Sequence, residues 1–387
     1  MFVSIIEKIK TKTSKYLYWE KFYENIIKNM GIKNNTSTSN HKNLFINKPG
    51  IAFSFDDSFR VNHWTKYGKE FFGYYDVKVT FNINAIHHFE GRREHTQEEI
   101  DMLLELQSNG HEIAHHGFKH LNANEFANEK GLSKWIDDEI LTLLEWMENQ
   151  QHSKTMEKFK KPVSFAFPYA EWNEELINEL VSKYFKIVRG HLSDDYFISF
   201  NHTGFAPSIC IDSIFLTNEK YIKKILKATK KSGSNLIFMC HSILPENIKW
   251  ESFGWGEKSL EDGQWRVSPK MIQFIINEAK KLDMEFYTTS EIAGVATFID
   301  RNLERCIRKQ ISNPDTQWIS ISELSSIKEL DLSCSNISSL DGIQYFTNLE
   351  RLCLKDNNIT DFRLLEKLSM LKELDIRNNP NNSKTVS

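Results

Sequence analysis

Between about residue 50 and residue 295 the chain alternates short apolar runs with longer stretches of helical periodicity, an order that few architectures accommodate. The runs Ile51–Phe55, Val77–Asn82, Glu112–Ala114, Val163–Phe167, Phe185–Val188, Ile209–Ile214, Leu236–Cys240 and Glu285–Thr288 read as strands. Between them Thr96–Ser108, Leu132–Asn149, Glu174–Tyr184, Asn218–Lys231 and Pro269–Leu282 read as amphipathic helices. Strand–helix repetition implies parallel strands joined by crossover helices. Seven or eight such pairs close, or nearly close, a barrel whose functional groups gather at the C-terminal ends of the strands. Asp56-Asp57, Pro168-Tyr169 and His241 each fall just after a strand candidate, and His116 and His120 follow the short third one. Polar groups from distant segments are therefore expected on one face.

From about residue 316 the pattern changes. Ile327, Leu330 and Leu332 recur 22 residues later as Leu349, Leu352 and Leu354, and again as Leu371, Leu374 and Ile376. Asn357 and Asn379 hold the turn position, with Ser335 there in the first copy. This period and leucine spacing mark a small leucine-rich solenoid. Two full turns and one truncated one are too few to stand alone, so they should lean on the barrel or on the helical stretch Leu303–Ile311. The expected class is α/β: a distorted TIM-like (β/α)7–8 barrel followed by the solenoid. The expected segments are 1–48 (a helical stretch and the polar linker Asn34–Asn43), 49–298 (the barrel), 299–315 (a connecting helix) and 316–387 (the leucine-rich repeats).

Composition excludes several classes. A net charge of −3, from 49 basic and 52 acidic residues, provides no field to recruit nucleic acid or an anionic membrane. No apolar run approaches the roughly 18 residues that span a bilayer, and the apolar start Met1–Ile6 is too short for a secretory signal. The five cysteines are scattered and form no CxxC knuckle, which fits reduced, packed thiols and a cytoplasmic protein.

The chemistry lies in the polar residues at strand ends. One carboxylate and two imidazoles, Asp57, His116 and His120, have the composition of a catalytic zinc site with one position open to water. The i, i+4 spacing of the histidines would set both on one side of a helical turn. Adjacent aspartates at a strand end diverge, so one can bind the ion while the other faces the reacting water as a base. The expected cofactor is a divalent metal, with zinc favoured by the ligand types.

These residues sit in segments that resemble known motifs. Phe53-Ser54-Phe55-Asp56-Asp57 resembles the first motif of the polysaccharide deacetylases (NodB homology, carbohydrate esterase family four). Asn109 to His120 resembles the second motif, Phe165-Ala166-Phe167-Pro168-Tyr169 the third, and Leu236 to His241 the fifth. The likeness covers roughly residues 50 to 295. It implies that Asp56 is the general base and that Asp57, His116 and His120 are the metal ligands. It further implies that the Tyr169 N–H helps hold an oxyanion and that His241 protonates the departing amine. The family removes N-acetyl, sometimes O-acetyl, groups from sugars such as N-acetylglucosamine in chitin-like or peptidoglycan-like polymers. Many members carry an arginine where Ala166 stands, a charge that Arg189 on the next strand could supply. The fourth motif's aspartate, which would steady His241, is Asp194, Asp195 or Asp212.

Further substrate-facing candidates are Pro168, Arg189, Trp250, Trp255 and Trp265, the tryptophans being able to stack on sugar rings. His87 and His88 read as solvated or hydrogen-bonded, and Cys240 as a packed strand residue. Two rival functions have sequence support. His111-Glu112-Ile113-Ala114-His115 fits the HExxH helix of zinc proteases, although Gly110 and Gly117 crowd such a helix. Alternatively, a catalytically weak barrel could support a leucine-rich surface that docks a protein partner.

Overall fold

The computed structural model describes residues 48–87, 93–181, 183–191, 204–215, 217–233, 235–249 and 262–380, with positions 21, 24, 25 and 28. Most of the N-terminal stretch, the linker Asn34–Asn43, His88, Asp194, Asp195, Trp250 and Trp255 lie outside the described residues. Two compact units result. One takes in the described residues up to Leu106 and those from His111 to Thr289; the other takes in Gln107–Gly110 and those from Ser290 onward. Among the described residues no helix is long and apolar enough to cross a membrane.

The first unit is a closed parallel barrel. Its strands are β1 (Gly50–Phe55), β2 (Thr80–Ile83), β3 (Glu112–His115), β4 (Ser164–Ala166), β5 (Ile187–His191), β6 (Phe205–Cys210) and β7 (Asn235–Cys240). They pair in chain order, and β7 returns to β1 over its whole length, from Gly50↔Asn235 to Phe55↔Cys240. After β7 come the two-residue strands β8 (Ser242–Ile243) and β9 (Arg266–Val267), which pair with each other. Then β10 (Glu285–Phe286) pairs with the first residues of β1, whereas β2 pairs with the last. The eighth strand candidate is thus a wedge at the N-terminal end of the β1–β2 seam, which resolves the expected seven or eight strands to seven.

Strand alternation separates two environments. Phe53 and Phe55 pack outward with Trp64, Phe72, Phe81 and Phe238. All are buried, and each phenyl ring removed from water stabilises the fold by about 2–3 kcal/mol. The intervening residues are polar and bond across the barrel: Asn82 donates to Ser54 and Asp56, and Thr80 and Ser164 donate to Glu112. Buried polar partners of this kind satisfy one another, as groups removed from bulk solvent must.

The second unit is the solenoid and its N-terminal cap. Strands β11 (Glu329–Asp331), β12 (Arg351–Cys353) and β13 (Glu373–Asp375) run parallel in the 22-residue register that the leucines mark. Asn357 stitches the first turn to the second. Its Oδ1 accepts from Ser335 and Ile337 N–H, and its amide donates to the Leu332 and Leu354 carbonyls. Asn379 repeats the device one turn later. The helix Arg301–Arg308 buries Leu303 and Ile307 in this unit. Its N-cap Asp300 also reaches into the first turn, accepting from Ser338 and Ser339. Leu330, Leu332, Leu352 and Leu354 are buried, whereas Leu374 of the last turn is 43% exposed.

Candidate active site

All seven barrel strands contribute to the site. Asp56 and Asp57 leave β1, and Asp57 turns into the left-handed region at φ 70°. The turn sends the two carboxylates different ways. Asn84, just after β2, anchors it, accepting from Ser58 N–H through Oδ1 and donating its own N–H to Ser58 Oγ. His116 follows β3, Pro168 and Tyr169 follow β4, Arg189 stands in β5, Asp212 follows β6 and His241 follows β7.

Asp57, His116 and His120 form one donor cluster. Asp57 Oδ1 lies 3.6 Å from His116 Nε2 and 3.3 Å from His120 Nε2. A tetrahedral ion about 2.1 Å from each donor would set donors about 3.4 Å apart, so the three fit a small divalent cation. The His116 tautomer agrees. Its Nδ1 donates to the Ala166 carbonyl at 2.8 Å, and since a carbonyl only accepts, Nδ1 carries the proton and the Nε2 lone pair faces Asp57. Arg60, itself buried, sets Nε 3.6 Å from Asp57 Oδ2. Its Nη1 donates to Ser242 Oγ and the Trp265 carbonyl, tying the ligand carboxylate to the chain that follows His241.

The two imidazoles do not share a helical turn, contrary to the expectation from their spacing. Residues 116–122 are an irregular loop, with Gly117 at φ 78° and His120 at φ 58°. Left-handed residues at these two points interrupt any helix, and the loop itself folds the second ring back over the first, 4.8 Å away.

Asp56 is 3% exposed and held on two sides. Asn82 donates to Oδ1 at 2.8 Å, and Arg189 Nη2 reaches Oδ1 at 2.5 Å and Oδ2 at 2.6 Å. Arg189 is 1% exposed and also donates to Ser208. In the barrel register Arg189 is the cross-strand partner of Ala166. The guanidinium therefore enters the site from the position beside the one at which many resembling chains carry it. Arg189 touches the aspartate and lies beneath the surface, so a direct contact with a sugar is not its place here.

His241 completes the group. Its Nδ1 lies 2.5 Å from Asp212 Oδ2, and its backbone N–H donates to Oδ1. Burial pushes the imidazole pKa down, but the Asp212 carboxylate outweighs it and the net shift is upward. The ring thus takes up a proton more readily than a free imidazole, and its Nε2 lies 3.9 Å from Asp57 Oδ2. Asp212 is the described candidate that steadies His241. Because β6 ends at Cys210 rather than Ile214, it sits just past a strand end like the other site residues. Cys210, Asp212 and His241 also cluster as possible ligands. A nitrogen–oxygen distance of 2.5 Å suits one shared proton, being too short for two donors on one ion, and burial raises the Cys210 thiol well above its usual range.

At the mouth, Tyr169 is 63% exposed, with φ 58° and its ring 4.8 Å from that of His120. Pro168 is buried beneath it. Trp265 is half-buried with its ring 4.9 Å from His241, so one of the three expected tryptophans borders the site. Asn82 and Arg60 were missed by motif reading, although each is a polar residue within or beside an otherwise apolar strand end.

The HExxH reading fails structurally. Glu112–His115 is a strand, in which residues four apart lie about 13 Å apart along the chain. Glu112 is spent on Thr80 and Ser164. His111 accepts from Val79 N–H, and His115 donates to the Ile140 carbonyl. Burial depresses both imidazoles to about 3.

Comparison with known proteins gives four findings. Residues 46–188 match the family described as polysaccharide deacetylase. A solved peptidoglycan N-acetylglucosamine deacetylase aligns over 64% of this chain and 90% of that one, at 14% identity and a TM-score of 0.38. For the repeats, an internalin from Listeria monocytogenes aligns at 37% identity over 21% of this chain and 24% of that one, with a TM-score of 0.20. Leucine-rich repeat-containing protein 36 of Mus musculus is 48% identical over 58 residues, which is 14% of this chain and 8% of the relative. The chain therefore spans under a tenth of that curated relative's length.

Proposed function

We propose, taking as premise that residues 46–188 belong to the polysaccharide deacetylase family, that this chain hydrolyses acetyl groups, N-acetyl foremost, from a carbohydrate. The observation that carries the reading is the Asp57 carboxylate within 3.3 and 3.6 Å of two imidazole nitrogens, beside a second carboxylate clamped by Arg189. Asp57, His116 and His120 would hold a divalent cation, zinc by ligand type, which when bound supplies a Lewis acid for the acyl oxygen and an acidified water. Asp56, next to that position, takes the proton of the attacking water. Arg189 and Asn82 keep its carboxylate oriented and satisfied by charge-assisted bonds. His241, whose hold on a proton Asp212 strengthens, gives that proton to the departing amine. The Tyr169 N–H would bind the developing oxyanion, and the rings of Tyr169 and Trp265 would offer apolar faces to a sugar.

The solenoid is proposed as a surface for a protein partner, the usual service of such repeats. We further infer a cytoplasmic site of action. The deciding experiment is acetate release from a panel of N- and O-acetylated saccharides by the full chain, with and without chelator. Release should require metal and fall at least about 100-fold in Asp56→Asn. No release from any member of the panel by zinc-loaded protein would overturn the assignment and leave the scaffold reading standing.

A further inference from the structure

The loop that carries His120 poses a satisfaction problem. Residues 117–121 contain two left-handed positions and belong to neither helix nor sheet, so their backbone N–H groups need other acceptors inside the protein. The Gly117 N–H donates to His115 Nδ1, and one residue takes those of Phe118, Lys119 and Leu121. The Glu139 backbone carbonyl accepts from Phe118 N–H at 3.1 Å. Its carboxylate accepts from Lys119 N–H through both oxygens at 3.1 Å, and from Leu121 N–H through Oε2 at 3.2 Å. The amides on either side of His120 thus end on a single side chain.

Glu139 is fully buried. It stands in the π-turn Ile136–Leu141 that interrupts the helix pattern between Leu132 and Asn149. Single wide turns of this kind re-aim side chains and recur at functional sites. The adjacent Ile140 carbonyl accepts from His115, so the same turn grips the chain on both sides of His116. Gly117 leaves the room that this requires, since a Cβ there would lie 2.7 Å from Glu139 Oε2. Burial raises the Glu139 pKa to about 7 against the pull of the Leu121 and Lys119 amides. A carboxyl group is retained in a costly buried position, and among the described residues its side-chain hydrogen bonds go to the loop.

We propose that Glu139 is a positioning residue that sets the His120 imidazole against Asp57 and thereby the affinity of the donor set for a divalent cation. The inference rests on the metal-site reading above and deepens it. Outer partners of metal ligands commonly govern affinity about 10- to 100-fold.

The test uses the full chain and Zn2+ as probe. Zinc affinity is measured by competition with a chromophoric chelator for wild type, Glu139→Gln, Glu139→Leu and His120→Ala. The visible spectrum of the Co2+ form and amide exchange at Lys119 and Leu121 in metal-free protein are measured alongside. Expected are affinity losses of about 10-fold for Glu139→Gln and about 100-fold for Glu139→Leu. An altered Co2+ spectrum and faster exchange of both amides should accompany them. Glu139→Gln keeps size and one acceptor oxygen, so it carries the test if the leucine variant does not fold. A lowered melting temperature with zinc affinity and Co2+ spectrum unmoved would make Glu139 merely structural and overturn the proposal, while His120→Ala still losing zinc would leave the metal site intact. Wild type binding no zinc would instead overturn the metal reading itself.

Discussion

Replacing Arg189 with Met should cost the barrel about 3–5 kcal/mol. The arithmetic begins with burial, since Arg189 is 1% and Asp56 3% exposed, and Nη2 lies 2.5 and 2.6 Å from the two carboxylate oxygens. Charges about 4 Å apart attract by about 4 kcal/mol at an effective dielectric of about 20. Removing one partner forfeits this attraction and strands the other charge in the interior. Asn82 and solvent near the mouth return part of the loss. For a barrel of this size such a deficit lowers the melting temperature by roughly 6–20 °C. Asp56→Asn should also destabilise, by leaving the guanidinium uncompensated, whereas the double variant removes both charges and should be milder than the two singles together. The cycle is measured by chemical denaturation in chelator, so that metal affinity does not enter, and a coupling of about 2–3 kcal/mol is expected. Additivity of the singles to within about 0.5 kcal/mol would refute the argument, because it would mean that the two groups do not sense each other.

Asp212→Asn removes the charge that raises the His241 pKa. The alkaline limb of the pH–rate profile should move to lower pH, with kcat at pH 8 down by about 10- to 100-fold. In the solenoid, Asn357→Ala leaves two carbonyls and two N–H groups of adjacent turns without their buried partner. It should cost about 2–4 kcal/mol by urea unfolding of the repeats. Asp300→Asn should cost about 1–2 kcal/mol at neutral pH, since an amide cannot accept on both sides as the carboxylate does. Burial pushes the Asp300 pKa up, but the Ser338 and Leu303 amides bring it below the ordinary carboxylate value. Its contribution is therefore full above about pH 5 and lost as pH falls through the depressed folded pKa. Unfolding curves of wild type and Asp300→Asn should converge on acidification.

Much of this molecule was legible in its residues because the signals are local. A strand end is marked by an apolar run meeting polar residues, and a solenoid by leucines every 22 positions. Asp56, Asp57, Pro168, Tyr169 and His241 could thus be set on one barrel face, and the repeat register assigned, before any contact was known. The i, i+4 spacing of His116 and His120 misled, because spacing carries no information about the left-handed turns at Gly117 and His120 that replace a helix. The HExxH stretch misled for the same reason, since a strand and a helix can carry the same five letters.

Residue types and their order were enough to assign a barrel, a solenoid and the donor set, because these depend on periodicity and on chemistry carried by single side chains. Strand pairing decided the remainder. It put Arg189 next to Ala166, so that a guanidinium two dozen positions downstream serves Asp56. It brought Asp212 against His241, and a π-turn directed Glu139 under a loop that precedes it by about twenty residues. Such partnerships arise only when the barrel closes, since a buried charge finds its partner across space and neighbouring letters do not encode the distance.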